Sequence, residues 1–301
     1  MPCYSPLTAY YSREIGKSGK RGITFSRSAS FSGQPLKLPC GQCVGCRLER
    51  SRQWAMRCMH EKRFHEFSWF VTLTYDDDHL PKDGSLVKSD FQKFCKRLRF
   101  HRHPFRFYMC GEYGEKNRRP HYHMILYGMD FPDKRFYKKA GESTLYTSVE
   151  LSEIWQNGFV VIGDVTFESC AYVARYVVDK MTGPKAESWY SWVDDDGVVH
   201  SVLPEYNDMS RRPGIGQKYF EKYGAEVYAH DRVVINGREV RPPRFYDVKL
   251  DAIDPKRMEV LKRKRRRMAL LHREDNTPER RRVRERVVEL NLAERLKRDK
   301  T

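Results

Sequence analysis

The chain has 301 residues, with 57 Lys and Arg against 40 Asp and Glu and a formal charge of +17. Its hydrophobic content of 40% and aromatic content of 13% suffice for a packed core and exclude global disorder. No run of about 18 apolar residues is present, which excludes a membrane-spanning helix. The first thirty residues lack an apolar export segment, so the chain is expected to stay in the cytoplasm. A basic, aromatic-rich protein of this kind points to nucleic acid as its partner.

In chain order, residues 12–39 are dominated by Gly, Ser, Pro and Lys and read as part of an irregular arm ending in a cysteine knuckle. Residues 46–66 contain strong helix formers without Gly or Pro and predict a helix. Phe67–Tyr75 is β-branched and aromatic and predicts a strand. A helix over Asp90–Arg102 follows a Ser89 or Asp90 cap, with Phe91, Phe94, Cys95 and Leu98 on one side. Strands at 105–112 and 121–128 form a hairpin. A helix at 145–156, a strand at 159–167 and a helix at 168–182 come next, the last stopped by Gly183-Pro184. Residues 184–250 carry no clear periodicity. The tail, 251–301, holds 18 Lys and Arg against 10 Asp and Glu. Thr277 and Pro278 open a final helix carrying Val283, Val287, Leu290 and Leu296 at helical spacing. The division expected is an arm with knuckle and helix (1–66), a central domain (67–250) and a basic helical tail (251–301).

Three patterns carry chemistry. Cys40-Gly-Gln-Cys43-Val-Gly-Cys46 has the spacing with which a turn directs thiolates at one tetrahedral ion, so a structural zinc is expected, with Cys3, Cys58 or His60 as fourth ligand. Free thiols in a knuckle-like turn and an iron–sulfur cluster are the other readings. His121-Tyr-His123 lies on a strand, so both imidazoles leave the same face about 7 Å apart along the strand and can close on one divalent ion. Glu112 on the preceding strand is the expected third ligand, with Glu115 as alternative. Such a set leaves positions open for a substrate oxygen. A satisfied polar pair on a solvent face is the competing reading.

The third pattern is Tyr172-Val-Ala-Arg-Tyr176-Val-Val-Asp-Lys180. At 100° per residue, Tyr172, Tyr176 and Lys180 share one side of the helix, away from Cys170, Ala174, Val177, Val178 and Met181. A phenol can attack a phosphodiester and form a covalent tyrosyl–DNA bond, while a divalent ion, Mg²⁺ or Mn²⁺, polarises the phosphate. Lys180 or Arg175 would screen the phosphate or lower a phenol's pKa.

The order Phe70-Val-Thr-Leu-Thr-Tyr75, Pro120-His-Tyr-His123, Tyr172-x-x-x-Tyr176 resembles that of the HUH (His-hydrophobe-His) rolling-circle replication initiators. Pro39-Cys-Gly-Gln-Cys-Val-Gly-Cys-Arg47, Arg57-Cys-Met-His-Glu61 and Gly111-Glu-Tyr-Gly114 narrow it: residues 39–182 look like the replication initiation proteins of gokushovirus-type microviruses. The resemblance implies an α+β fold with a central antiparallel sheet and flanking helices, ferredoxin-like or RRM-like, beside the Cys-rich arm and basic tail. It implies His121 and His123 as metal ligands and Tyr172 and Tyr176 as nucleophiles. The activity implied is site-specific nicking of single-stranded origin DNA. The protein would stay on the 5′-phosphate and leave a 3′-hydroxyl to prime a host polymerase, in the cytoplasm of the bacterial host. No phosphate-binding loop is present, since Gly16-Lys-Ser18 lacks its upstream glycine, so a partner helicase is expected. The run Lys262, Arg263, Lys264, Arg265, Arg266 and Arg267 is expected to hold DNA by counterion release, and exposed members of Trp189, Tyr190 and Trp192 to stack on bases. Plasmid initiators, relaxases and transposases would share the chemistry. A non-catalytic, zinc-containing nucleic-acid-binding protein is the alternative from another class.

Overall fold

The protein is described from a computed structural model. It covers all residues except 1–2, 17–18, 20, 103, 115–116, 142, 180–185, 194–195 and 299–301, and omits the side chains of 176–179 and 295–298. The elements run β1 (Leu7–Ile15), β2 (Arg21–Thr24), β3 (Leu36–Leu38), α1 (Val44–Lys62), β4 (Ser68–Tyr75), α2 (Lys88–His101), β5 (Arg106–Tyr113) and β6 (Pro120–Tyr127). They continue with β7 (Arg135–Ala140), β8 (Ser143–Thr147), α3 (Val149–Trp155), β9 (Gly158–Asp164), α4 (Phe167–Asp179), α5 (Ala186–Trp189), β10 (Ser191–Val193), β11 (Val199–Ser201) and β12 (Tyr206–Met209). The last are α6 (Gln217–His230), β13 (Val233–Ile235), β14 (Arg238–Val240), α7 (Arg244–Ile253), α8 (Pro255–Leu271) and α9 (Pro278–Arg298). Two compact units form, one of residues 1–50 with 259–301 and one of residues 51–258. Among the described residues no helix is long and apolar enough to cross a membrane.

The larger unit is α+β. Its sheet has seven strands in the order β12-β5-β6-β4-β9-β8-β7, every pairing antiparallel. Strand alternation gives it two working faces. Val71, Leu73, Met109, Tyr122, Met124 and Leu126 turn toward one side, where Phe91, Phe94 and Leu98 of α2 and Leu151, Ile154 and Trp155 of α3 complete a core. Tyr108, Cys110, Ile125 and Tyr127 turn to the other, against Ala55 and Cys58 of α1 and Cys170, Val173 and Ala174 of α4. The start of β9 presses on the end of β4: a Cβ on Gly158 would lie 2.3 Å from the Asp76 amide, and its φ of +137° also demands glycine.

Several local expectations are corrected. The arm over residues 12–39 is not irregular: β1 pairs with both β2 and β3. Neither Ser89 nor Asp90 caps α2, which begins at Lys88 after Val87 with no side-chain cap. The buried Tyr122 hydroxyl bonds both backbone groups of Val87 instead, and Asp90 accepts from Tyr75. The expected helix at 145–156 is split. Its first three residues lie in strand β8, and Ser148 then caps the short α3 by accepting from the Leu151 amide. The strand expected at 159–167 gives way early to α4, whose Thr166 hydroxyl accepts from the Ser169 amide. Thr277 does begin α9, accepting from the Arg280 amide at 3.3 Å, but Val283, Val287 and Leu290 on that helix are half exposed.

Glu61 of α1, fully buried, is paired with Arg106 of β5 and His65 and also accepts the Gly216 amide. Burial alone would push its carboxyl up, but the bonds from His65, Gly216 and Arg106 outweigh it and hold the pKa below the ordinary value. The resulting stabilisation is complete above the unfolded carboxylate value of about 4.3 and is lost as pH falls through the lower folded value. Glu61→Ala leaves Arg106 without its carboxylate, and the expected loss is about 3–5 kcal/mol, read as a lower urea midpoint at neutral pH with a smaller difference in acid.

Candidate active site

The hairpin register sets the geometry. Glu112 on β5 lies directly opposite His121 on β6, and Cys110 opposite His123, so the carboxylate faces one imidazole across the strands and the other diagonally. Glu112 Oε1 sits 2.8 Å from His121 Nε2 and 2.9 Å from His123 Nε2. The Glu112 side chain is 1% exposed and that of His123 9%. Gly111 belongs to this arrangement, because a Cβ there would meet the Tyr206 ring at 2.9 Å on the opposite face.

The outer ring nitrogens are also held. His121 Nδ1 lies 3.0 Å from the Arg119 carbonyl and so donates to it. His123 Nδ1 lies 2.9 Å from the hydroxyl of Thr72, its register partner on β4. Held at these outer nitrogens, both rings turn Nε2 inward toward Glu112, the orientation that imidazole ligands adopt. The contact between His123 Nε2 and Glu112 is close yet misaligned, which leaves this buried nitrogen without a hydrogen bond. Three ligand atoms lie within 4.8 Å of one another, one from each residue. Two imidazoles and a carboxylate with an unsatisfied nitrogen between them fit a divalent ion.

Electrostatics follow from burial and from this contact. Burial would raise the Glu112 pKa, but His121 and His123 outweigh it and hold the carboxyl below its ordinary value. For His121, burial is outweighed by Glu112 and the Arg119 carbonyl, so its pKa is raised. For the more deeply placed His123, burial prevails and its pKa is lowered.

Helix α4 brings Tyr172 to the same place. Its hydroxyl is 3.3 Å from Glu112 Oε1. The ring meets His123 edge-on at 5.1 Å between centroids, with Phe70 of β4 at 6.4 Å. Cys170, Val173 and Ala174 bury the helix's opposite side. Tyr176 follows one turn on in the same helix, its side chain outside the described residues, as are Glu115 and Lys180. Phe70 and Thr72 contribute side chains that the reading of the motif did not single out. Their signal was the alternation of β4, which puts both on the face of its partner His123.

The knuckle lies in the smaller unit. Cys3, Cys40, Cys43 and Cys46 place their sulfurs within 4.8 Å of one another. The other two candidates for fourth ligand are occupied elsewhere: Cys58 is packed in the second core, and His60 Nδ1 bonds the Tyr246 hydroxyl at 2.8 Å. The basic run sits on α8, where Lys262, Arg263, Lys264, Arg266 and Arg267 are exposed and Arg265 half-buried. Trp189 and Trp192 are exposed, whereas Tyr190 is buried.

A family model described as replication-associated protein ORF2/G2P matches residues 68–181, the stretch that contains Glu112, His121, His123 and Tyr172. The chain is 33% identical over 260 residues to the replication-associated protein VP4 of Bdellovibrio phage phiMH2K, covering 82% of this chain and 76% of that protein. It is 34% identical over 252 residues to the replication-associated protein ORF2 of Spiroplasma virus 4, covering 75% and 74%. It is 31% identical over 225 residues to the replication-associated protein ORF4 of Chlamydia phage 1, covering 69% and 52%. No solved structure matches. Matched along most of the length of two such relatives, the chain belongs to the microvirus replication-associated proteins of the ORF2/G2P family.

Proposed function

We propose that this protein initiates rolling-circle replication of a phage genome by nicking single-stranded origin DNA and remaining joined to it through a tyrosine. The observation that carries this reading is the approach of the Tyr172 hydroxyl to the Glu112–His121–His123 cluster. The names of the relatives support a role in phage replication. The β4-α2-β5-β6-α3-β9 succession with spatial order β5-β6-β4-β9 supports the ferredoxin-like form of the HUH fold.

In this mechanism Glu112, His121 Nε2 and His123 Nε2 would hold a divalent ion, which when bound would polarise the scissile phosphate and offset the charge that builds on the phosphate oxygens. Tyr172 Oη attacks phosphorus, a bond forms to the 5′-phosphate, and the bond to O3′ breaks. The phenolic proton is balanced by the proton gained on the new 3′-hydroxyl. Thr72 and the Arg119 carbonyl fix the imidazoles, so no ring reorientation accompanies substrate arrival. Tyr176 is the second nucleophile, which after one round would attack the regenerated origin and allow the product to close. Lys180 would screen the phosphate. A host polymerase extends the 3′ end, and a host helicase supplies the unwinding. The α8 run Lys262–Arg267 adds affinity for phosphates without regard to sequence, and Trp189 and Trp192 offer faces for base stacking.

Incubation with labelled single-stranded origin DNA and Mn²⁺ is expected to give a covalent adduct on a denaturing gel. Tyr172→Phe with Tyr176→Phe abolishes it, as does His121→Ala with His123→Ala, while binding on a native gel persists. An adduct that survives the double tyrosine change, or native binding with no adduct in the unaltered protein, contradicts the reading. The latter outcome favours the non-catalytic binding protein. Thr72→Val keeps the shape of the side chain but removes the hydroxyl beside His123 Nδ1. Its Mn²⁺ affinity at this centre, measured by calorimetric titration, is expected to fall about 10–100-fold with an unchanged circular dichroism spectrum.

A further inference from the structure

The three-stranded sheet of β1, β2 and β3 lacks what ordinarily holds a small sheet together. Such a sheet needs an apolar layer to persist in water. Among the described residues from 3 to 43, only Ala9 and Ser30 are buried. Leu7, Tyr11, Ile15, Ile23, Phe25 and Phe31 all remain exposed. Four thiols stand where a core is missing.

The register explains how the fourth of them arrives. β1 and β3 run antiparallel, with Leu7 opposite Leu38 and Ala9 opposite Leu36. The same pairing carried outward brings residues 3–5 alongside 40–42, so Cys3 meets the knuckle although 37 positions separate it from Cys40. The Cys3 sulfur lies 3.8 Å from that of Cys40 and 4.0 Å from that of Cys43. Sulfurs at the corners of a tetrahedron, each about 2.3 Å from a central zinc, stand about 3.8 Å apart, whereas a disulfide would hold them at about 2.05 Å. Backbone amides of Tyr4, Cys40 and Cys43 approach the sulfurs of Cys43, Cys3 and Cys40 at 3.3, 3.3 and 3.2 Å. Zn²⁺ with four thiolates carries a net charge of −2, and residues 1–50 contain eight Lys and Arg against two Glu.

We propose that Cys3, Cys40, Cys43 and Cys46 bind one structural zinc ion, and that this ion takes the place of an apolar core in holding residues 3–50 folded. Four protons leave on binding, and the four sulfurs close the coordination sphere, so the site has no position for a substrate. None of these residues belongs to the Glu112 cluster, and the two readings stand or fall separately.

The test uses the full chain carrying His121→Ala and His123→Ala, so that the other candidate centre contributes no metal. Purified under reducing conditions, it is expected to contain one zinc per chain by mass spectrometry. Cys3→Ser or Cys43→Ser reduces this to background, and Cys95→Ala leaves it unchanged. Cobalt substitution gives a thiolate-to-cobalt absorption band that Cys3→Ser removes. Chelation raises amide exchange across residues 3–50 and spares 51–258. Zinc below one per chain, full zinc in Cys3→Ser, unchanged exchange after chelation, or a Cys3–Cys40 disulfide in fresh protein would each overturn the proposal.

Discussion

A carboxylate buried in a sheet is costly unless charge or hydrogen bonds meet it, and Glu112 is met by two imidazoles. The hairpin register between β5 and β6 makes this possible by setting Glu112 against His121 while the pleat turns His123 to the same side. A slip of one residue would send the carboxylate into the core formed with α2 and α3 and break the cluster. The tight packing around Gly111 and the Tyr75–Tyr122 hydroxyl pair on the opposite face hold that register. Packing on one side of the sheet thereby fixes the polar geometry on the other.

The same alternation decides which helix can reach the cluster. His121 and His123 share a face with Ile125 and Tyr127, the face that α1 and α4 cover. A helix burying Cys170, Val173 and Ala174 there turns Tyr172 toward Glu112 as a consequence of the 100° step. Thr72 and Phe70 arrive by the corresponding logic on β4, where seven register pairs with β6 leave little freedom. The proposed chemistry thus draws on three strands and one helix of the larger unit, with the outer imidazole nitrogens already engaged.

Much of the larger unit was legible because its signals are local. The β4 sequence, the buried stripe Phe91, Phe94, Cys95 and Leu98, and the hairpin around His121 and His123 each declare themselves within a dozen residues. The imidazole pair and the first tyrosine lay in such stretches, and their convergence required only the two periods of strand and helix. What escaped depends on partners distant in the chain. Val87 begins α2 without a side-chain cap because Tyr122, 35 positions away, bonds its backbone. Residues 12–39 have the composition of a loop, and nothing in them signals that β1 would be paired on both edges. Cys3 was one of three candidates for the knuckle, and only the β1–β3 pairing brings it there. At 145–156 strand-favouring and helix-favouring residues adjoin, and Ser148 marks the change.

The most direct measurement is an anomalous difference map from crystals soaked in Mn²⁺. One peak bonded to Glu112, His121 Nε2 and His123 Nε2, with the Tyr172 hydroxyl facing the open coordination side, is the predicted result. A map without a peak at these three residues, or one in which Glu112 and the histidines stay bonded only to each other in saturating Mn²⁺, would contradict it.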